Sequence, residues 1–301
     1  MSTTKRLRVA VLGPKGQCGS CVVDELLSRG HSVVGLSRNP PREWQTPGEY
    51  TAESVDFNSI NELSAALSRG YDAIVCAYGP PPGNLRAIYY ECVETHARIK
   101  SALLRSNHRG SFIVIGGAGS LHHKDGSSFA DEPDFPYGAW YKWSDQHLGY
   151  MISRASDHGS TTLAVFSRIF RWARNNLEHP GWFSWILRPF ARLFLSRARR
   201  FMTSHDAKGL ITGSRVALHL WEGVTEKSWS FLSPPRLLRD KGIRTAKYEV
   251  YVDELDSPGY QAIYGGIYNE DTAVAIVDEV ENNKLAYKHW SCVGPIGLGK
   301  W

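Results

Sequence analysis

Apolar positions in the first 115 residues alternate between two patterns. Short unbroken apolar runs predict buried strands: LRVAVLG from Leu7, HSVVGLSR from His31, YDAIVCAYG from Tyr71 and SFIVIGGAGS from Ser111. TAESVDF, at 51–57, predicts one more. Between the runs, apolar residues recur at three and four, the period of a helix. Val22, Val23, Leu26 and Leu27 share one helix face closed by Gly30. NSINELSAALSRG predicts a helix capped by Asn58 or Ser59. Leu85, Ile88, Tyr89, Cys92, Ile99 and Leu103 stripe a long helix that stops at Gly110. Strand and helix in strict alternation predict an α/β fold, a doubly wound parallel sheet with helices on both faces.

The turn between the first strand and the first helix holds Gly13, Gly16 and Gly19, a GxxGxxG spacing. Amides at a helix start lack partners and sit at the positive end of the dipole. Glycines there let a phosphate approach. The alternative is a plain tight turn; its place at the head of an alternating βα chain favours a dinucleotide loop. Lys15, Gln17 and Cys18 lie in the same stretch and join the cofactor candidates. NAD enzymes of this fold place an acid after the second strand to hold the ribose 2′-OH. Here Ser37 and Arg38 stand there, with Arg42 close by. A guanidinium pairs with a 2′-phosphate, so the expected cofactor is NADP(H). Arg38 as an ordinary surface arginine is the competing reading. Asp56 is expected to meet the adenine amino group, and Ala77, Tyr78 and Gly79 to border the adenosine. The PPPGN run at 80–84 is expected to stiffen the next loop.

Composition excludes more than it assigns. The 301 residues are 42% hydrophobic and 22% charged, with a formal net charge of +5, too mild to imply nucleic acid. Five cysteines do not form a disulfide framework in a chain this long, and a reducing, cytoplasmic setting is expected. The start, MSTTKRLRVAVLG, lacks the pattern of a signal peptide, and no apolar stretch predicts a membrane span.

These residues resemble the atypical short-chain dehydrogenase/reductase superfamily, in its NmrA-like NAD(P)-binding branch. The resemblance rests on VLGPKGQCGSCVVDELLSRGHSVVGLSRNP, YDAIVCAYGP, FIVIGGAGSL, WSFLSPPRLLRDKGIRTAKYEVYVDEL and EDTAVAIVDEVEN. It covers roughly residues 6–150 and 210–293. It implies a Rossmann core, an NADP(H) site and a reductase or epimerase activity, although some members only sense the nucleotide. Active members use a Tyr-x-x-x-Lys pair, which three-residue separation puts on one helix face. FPYGAWYKW departs from it: Tyr137 is one residue too far from Lys142, and Tyr141 is adjacent. Tyr141 is a proton donor or a packing aromatic, and Lys142 a ribose contact or a surface lysine. Ser120 matches the serine after the fifth strand. His122 and His123 follow it and can act as acids near neutrality. No third ligand has good spacing with them, so no metal is expected. Asp145 and His147 are expected to share one helix and face solvent. Cys18-x-x-Cys21 reads as helix packing.

Residues 158–210 form an insertion between the core segments 1–157 and 211–301, which complete one another. Within it, residues 169–205 carry seven arginines, at 171, 174, 188, 192, 197, 199 and 200, against a single acid, Glu178, and interleave them with Trp172, Trp182, Trp185, Phe190 and Phe194. Pro180 and Pro189 are expected to split it into short helices. The favoured reading is a helical cap over the substrate site with solvated arginines, suited to a hydrophobic, aromatic or polycyclic small molecule. A homodimer or membrane-surface contact through 169–205 is the second. The expected activity is an NADP(H)-dependent oxidoreductase of specialised metabolism. A redox-neutral isomerase, dehydratase or cyclase, and a non-enzymatic NADP sensor, are its rivals.

Overall fold

A computed structural model describes residues 5–80, 85, 87–157, 159–179, 181–182, 184–240, 242–253 and 265–296. In chain order its strands are Arg8–Leu12 (β1), Ser32–Ser37 (β2), Glu49–Ser54 (β3), Ala73–Cys76 (β4), Ser111–Ile115 (β5), Trp229–Leu232 (β6), Leu237–Arg239 (β7), Glu249–Val252 (β8), Gly266–Tyr268 (β9) and Lys288–Val293 (β10). The main sheet runs β3-β2-β1-β4-β5-β6-β10-β8. Every pair in it is parallel except β10 with β8. β7 and β9 form a separate two-stranded ribbon. The order reverses at β1, so β1 and β4 flank the crevice where such sheets hold ligands. This is the Rossmann-type doubly wound sheet expected.

The helices are Gln17–Ser28 (α1), Ile60–Leu67 (α2), Ile88–Arg105 (α3), Tyr137–Lys142 (α4), Asp145–Asp157 (α5), Thr161–Glu178 (α6), Ser184–Met202 (α7), His205–His219 (α8) and Asn269–Asn282 (α9). Alternate strand residues feed two cores, one on each sheet face. Leu12, Cys76, Val114 and Phe231 pack with Leu63 of α2, Ile99 of α3 and Leu218 of α8. Val11, Val75, Ile113 and Leu232 pack with Val23 and Leu26 of α1 and Ile276 of α9. Ser59 caps α2 by accepting the Glu62 N–H at 3.3 Å. An ion-pair network ties α1 to α9. Arg29 donates to Glu25, Asp278 and Glu281 at 2.7, 2.6 and 2.9 Å, and Arg244 donates to Glu25 at 2.7 Å. Burial would raise the Glu25 carboxyl, but the bonds from Arg244 and Arg29 outweigh it and lower its pKa. α1 is therefore anchored at the end away from its glycine loop. Residues 81–84, the PPGN part of the run at 80–84, lie outside the described residues.

By internal contacts the chain divides into two compact units, Met1–Phe129 with Gly209–Leu298, and Ala130–Lys208 with Gly299–Trp301. The second holds α4 to α7. There the structure corrects several sequence expectations. Asp145 and His147 share α5 as expected, but His147 is buried, stacked on Trp143 with ring centroids 4.0 Å apart. Asp145 pairs with Arg171 and accepts from Asn175, which lowers its pKa to about 2, the Arg171 hydrogen bond being the largest cause. Arg174 is not solvated: it is buried, donates to the Trp143 carbonyl and pairs with Asp145 and Glu178. Pro189 does not split α7, which runs through it; Pro189 is exposed, so water can serve the carbonyl that loses its partner.

Candidate functional site

Gly13 ends β1 at φ +77°, in the left-handed region where a side chain is strained. A Cβ there would stand 2.9 Å from the Ala77 carbonyl oxygen, and one at Gly19 would stand 2.2 Å from that of Gly13. β1, β4 and α1 thus converge where only glycine fits. Gly16 is the exposed N-cap of α1; no side chain caps that end, and its first turn carries no acid. The uncapped helix start, at the positive end of the helix dipole, makes a cradle for a pyrophosphate, and the residues present fit a dinucleotide. Lys15 is exposed beside it, and Gln17 is partly buried.

The other cofactor candidates follow the carboxyl ends of neighbouring strands. Ser37 closes β2, and Arg38 is exposed with no ion pair for its guanidinium among the described residues. Asp56 turns one carboxylate oxygen to the Asn58 backbone and side chain at 3.0 and 3.1 Å, fixing the turn before α2. Ala77, Tyr78 and Gly79 follow β4, and Tyr78 packs edge-on against Phe57 and His96. Sequence reasoning missed Asn269, the first residue of α9. It is buried, its Oδ1 lies 3.9 Å from Cys18 Sγ, and its Nδ2 has no partner among the described residues. The apolar run Ala273–Val277 that follows it in α9 marked this helix as buried, which was the available signal.

The strand registers put Leu12, Cys76, Val114, Phe231 and His289 in one cross-strand row, at the level where β1 gives way to Gly13. β5 lies two strand spacings from β1, about 10 Å. From its carboxyl end the chain passes through a short 3₁₀ turn, Ala118–Ser120, to His122. Ser120 is fully buried with an unpartnered Oγ among the described residues. His122 Nδ1 lies 2.8 Å from Asp253 Oδ2, and His289 Nδ1 lies 2.8 Å from the same oxygen. His289 Nε2 lies 2.8 Å from Ser233 Oγ. Both imidazoles donate Nδ1–H to Asp253, and the Ser233 hydroxyl donates to His289, which links the four residues in one hydrogen-bonded relay.

Spacing had offered His122 no third partner; the fold supplies two, with ligand-capable atoms all within 4.8 Å of one another. Hydrogen bonds join these atoms to one another and to Ser233. Ser233, His289 and Asp253 follow the order of a hydrolytic triad, but Ser233 has no exposed surface and cannot reach a substrate. His122, 30% exposed, is the member that meets solvent. The Asp253 hydrogen bond raises its pKa, outweighing burial and the repulsion of Arg215; Glu222 adds to the rise. Burial opposes the ionised Asp253, yet the bonds from His122 and His289 lower its pKa to about 2.

The remaining catalytic candidates are not in this cluster. His123 packs edge-on against Phe129. Tyr141 and Lys142 end α4 in the second unit, beside a groove also lined by Asp145, Arg174 and Glu178. Burial raises the Tyr141 phenol, whereas a catalytic tyrosine needs it lowered.

Residues 13–163 match the model of a family described as NAD(P)H-binding. The chain belongs to that family. The match bears out the NAD(P)-binding part of the resemblance read from the sequence. The uncharacterised protein YwnB of Bacillus subtilis is 26% identical over 132 residues, 43% of this chain and 57% of its own length. An uncharacterised Mycobacterium tuberculosis protein is 33% identical over 73 residues, 24% of this chain and 8% of its own. The chain therefore spans less than two thirds of these curated relatives. Among solved structures, a Streptococcus pneumoniae protein assigned as an NADH-flavin reductase aligns at TM-score 0.61 and 19% identity, over 96% of this chain and 99% of its own. An epimerase assignment from Bacteroides thetaiotaomicron aligns at 0.62 and 19%, over 96% and 98%. The anaerobilin reductase ChuY of Escherichia coli aligns at 0.53 and 13%, over 96% and 97%. At these identities the likeness is one of fold. No described helix is long and apolar enough to cross a membrane.

Proposed function

We propose that this chain is an NADP(H)-dependent reductase of a hydrophobic, conjugated or aromatic small molecule, with His122 as its proton donor. The observation that carries it is the His122–Asp253 pair, beyond the end of β5 in the sheet whose first strand ends in the glycine loop. The nicotinamide, when bound, supplies a hydride to a carbonyl or conjugated carbon. Gly13, Gly16 and the first turn of α1 hold the pyrophosphate, and the unpaired Arg38 pairs with the 2′-phosphate. Asp253 holds Nδ1–H of His122, which leaves Nε2 to carry the proton and give it to the substrate. His289 and Ser233 hold Asp253 in place. Proton return is from water, through the exposed edge of His122. Neighbours named as flavin and anaerobilin reductases suggest flat conjugated acceptors.

The test is NADPH oxidation with flavin mononucleotide, a linear tetrapyrrole, a quinone and an aromatic aldehyde as acceptors. At least one should be reduced mole for mole. His122→Gln should lower kcat by about 100-fold or more while sparing NADPH affinity. Product without cofactor oxidation would favour the redox-neutral isomerase. Bound NADPH that no acceptor oxidises would favour the sensor.

A further inference from the structure

Exposed large apolar side chains are concentrated on one helix hairpin. Eleven of the eighteen on the described surface fall between Leu163 and Phe201. α7 buries Ala191, Leu195, Ala198 and Met202, spaced by four, three and four, on one face. Its other side and the preceding turn expose Trp182 at 89%, Trp185 at 70%, Phe190 at 64% and Leu193 at 51%. These residues recur at three, five and three, a stripe along the outer side of the helix. Patches of this kind mark an interaction site.

Charge selects the partner. From Ser184 to Met202 the helix has five arginines and no acid. Arg199 pairs with Asp134, but Arg188, Arg192, Arg197 and Arg200 have no ion pair among the described residues. A second copy of the chain would bring the same acid-free face against itself, and a two-fold contact must be self-complementary. An anionic bilayer offers what the face lacks: an apolar interior for tryptophan and phenylalanine, and phosphates at the depth of the guanidinium groups. The length and charge of α7 suit a helix lying in the interface, not one crossing it.

We propose that α7 docks this protein on an anionic phospholipid surface, with Trp185, Phe190 and Leu193 in the headgroup boundary and Arg197 and Arg200 on lipid phosphates. A membrane-dissolved apolar compound would then be within the reach of a surface-bound enzyme.

The experiment is co-sedimentation of the full chain with phosphatidylcholine vesicles, with and without phosphatidylserine. Binding should be at least tenfold stronger with phosphatidylserine and should fall as salt rises. It should weaken roughly fivefold for each arginine lost in Arg197→Gln and Arg200→Gln. Trp185→Ala with Phe190→Ala should weaken binding further. NADPH affinity should be unchanged in all of these variants, which shows them folded and separates this proposal from the cofactor reading. Equal binding to both vesicles, or none to either, overturns it. A dimer that the Trp185 and Phe190 changes split, without vesicle binding, assigns the face to a second copy instead.

Discussion

His122 has one nitrogen committed to Asp253 and one left for chemistry, and this asymmetry is testable at a single atom. Its raised pKa comes first from the Asp253 hydrogen bond. A histidine raised in the folded state adds stability below its unfolded pKa, and loses it as pH rises through the folded value. Asp253 runs the other way: its contribution is present above its unfolded pKa and is lost as pH falls toward about 2. Asp253→Asn removes the charge that holds the proton. The His122 ring resonances should then titrate at lower pH than in wild type, followed by NMR; an unmoved titration would disconnect the two residues. The second prediction at this scale concerns Arg38. NADPH should bind at least tenfold more tightly than NADH, since a charged hydrogen bond contributes about 1.5–3 kcal/mol. Arg38→Ala should equalise them in a fluorescence titration. His122 was legible in the sequence as a candidate. Its partner was not, because Asp253 lies 131 residues on and only the β10–β8 pairing delivers it. The signal present was a histidine in KHWSCV, where four consecutive positions from His289 are buried.

Among elements, the glycine loop is the one read most completely from sequence, because its spacing, the strand before it and the helix after it all agree. The structure adds that the three glycines have different tasks. A side chain at Gly13 or Gly19 collides with backbone, whereas a Cβ at Gly16 meets Gly13 oxygen at a tight 3.3 Å and Ala77 oxygen at an ordinary 3.6 Å. Gly16→Val is therefore the cleaner test of nucleotide binding. It should abolish NADPH affinity with a melting temperature close to wild type, whereas Gly13→Val should also destabilise the fold. Normal affinity in Gly16→Val would make the loop a turn and nothing more. α7 was read less well: proline was expected to end the helix, but at an exposed position it costs only one solvated bond. The buried Arg174 was hidden for a different reason, since its partner, the Trp143 carbonyl, comes from helix pairing that periodicity does not specify.

For the whole molecule, the doubly wound parallel sheet followed from strand and helix alternation, and the two-faced core from apolar runs too continuous for a one-sided sheet. The antiparallel edge strand β8 was not legible, because EVYV is half exposed and lacks a buried run. Global stability carries its own pH signature. His96 of α3 is fully buried in the core, and burial lowers its pKa to about 4. The unfolded chain takes up that proton first, so stability falls as pH drops from 6.5 toward about 4, by on the order of 3 kcal/mol in all. His96→Phe should flatten that part of the stability curve, measured by urea unfolding across the range. Proton transfer from His122 is read by single-turnover NADPH oxidation with a reducible acceptor, followed across pH. The account predicts a rate that falls as pH rises through the His122 pKa, a break that disappears in His122→Gln, and unchanged NADPH affinity in that variant. An identical pH profile in wild type and His122→Gln would contradict it.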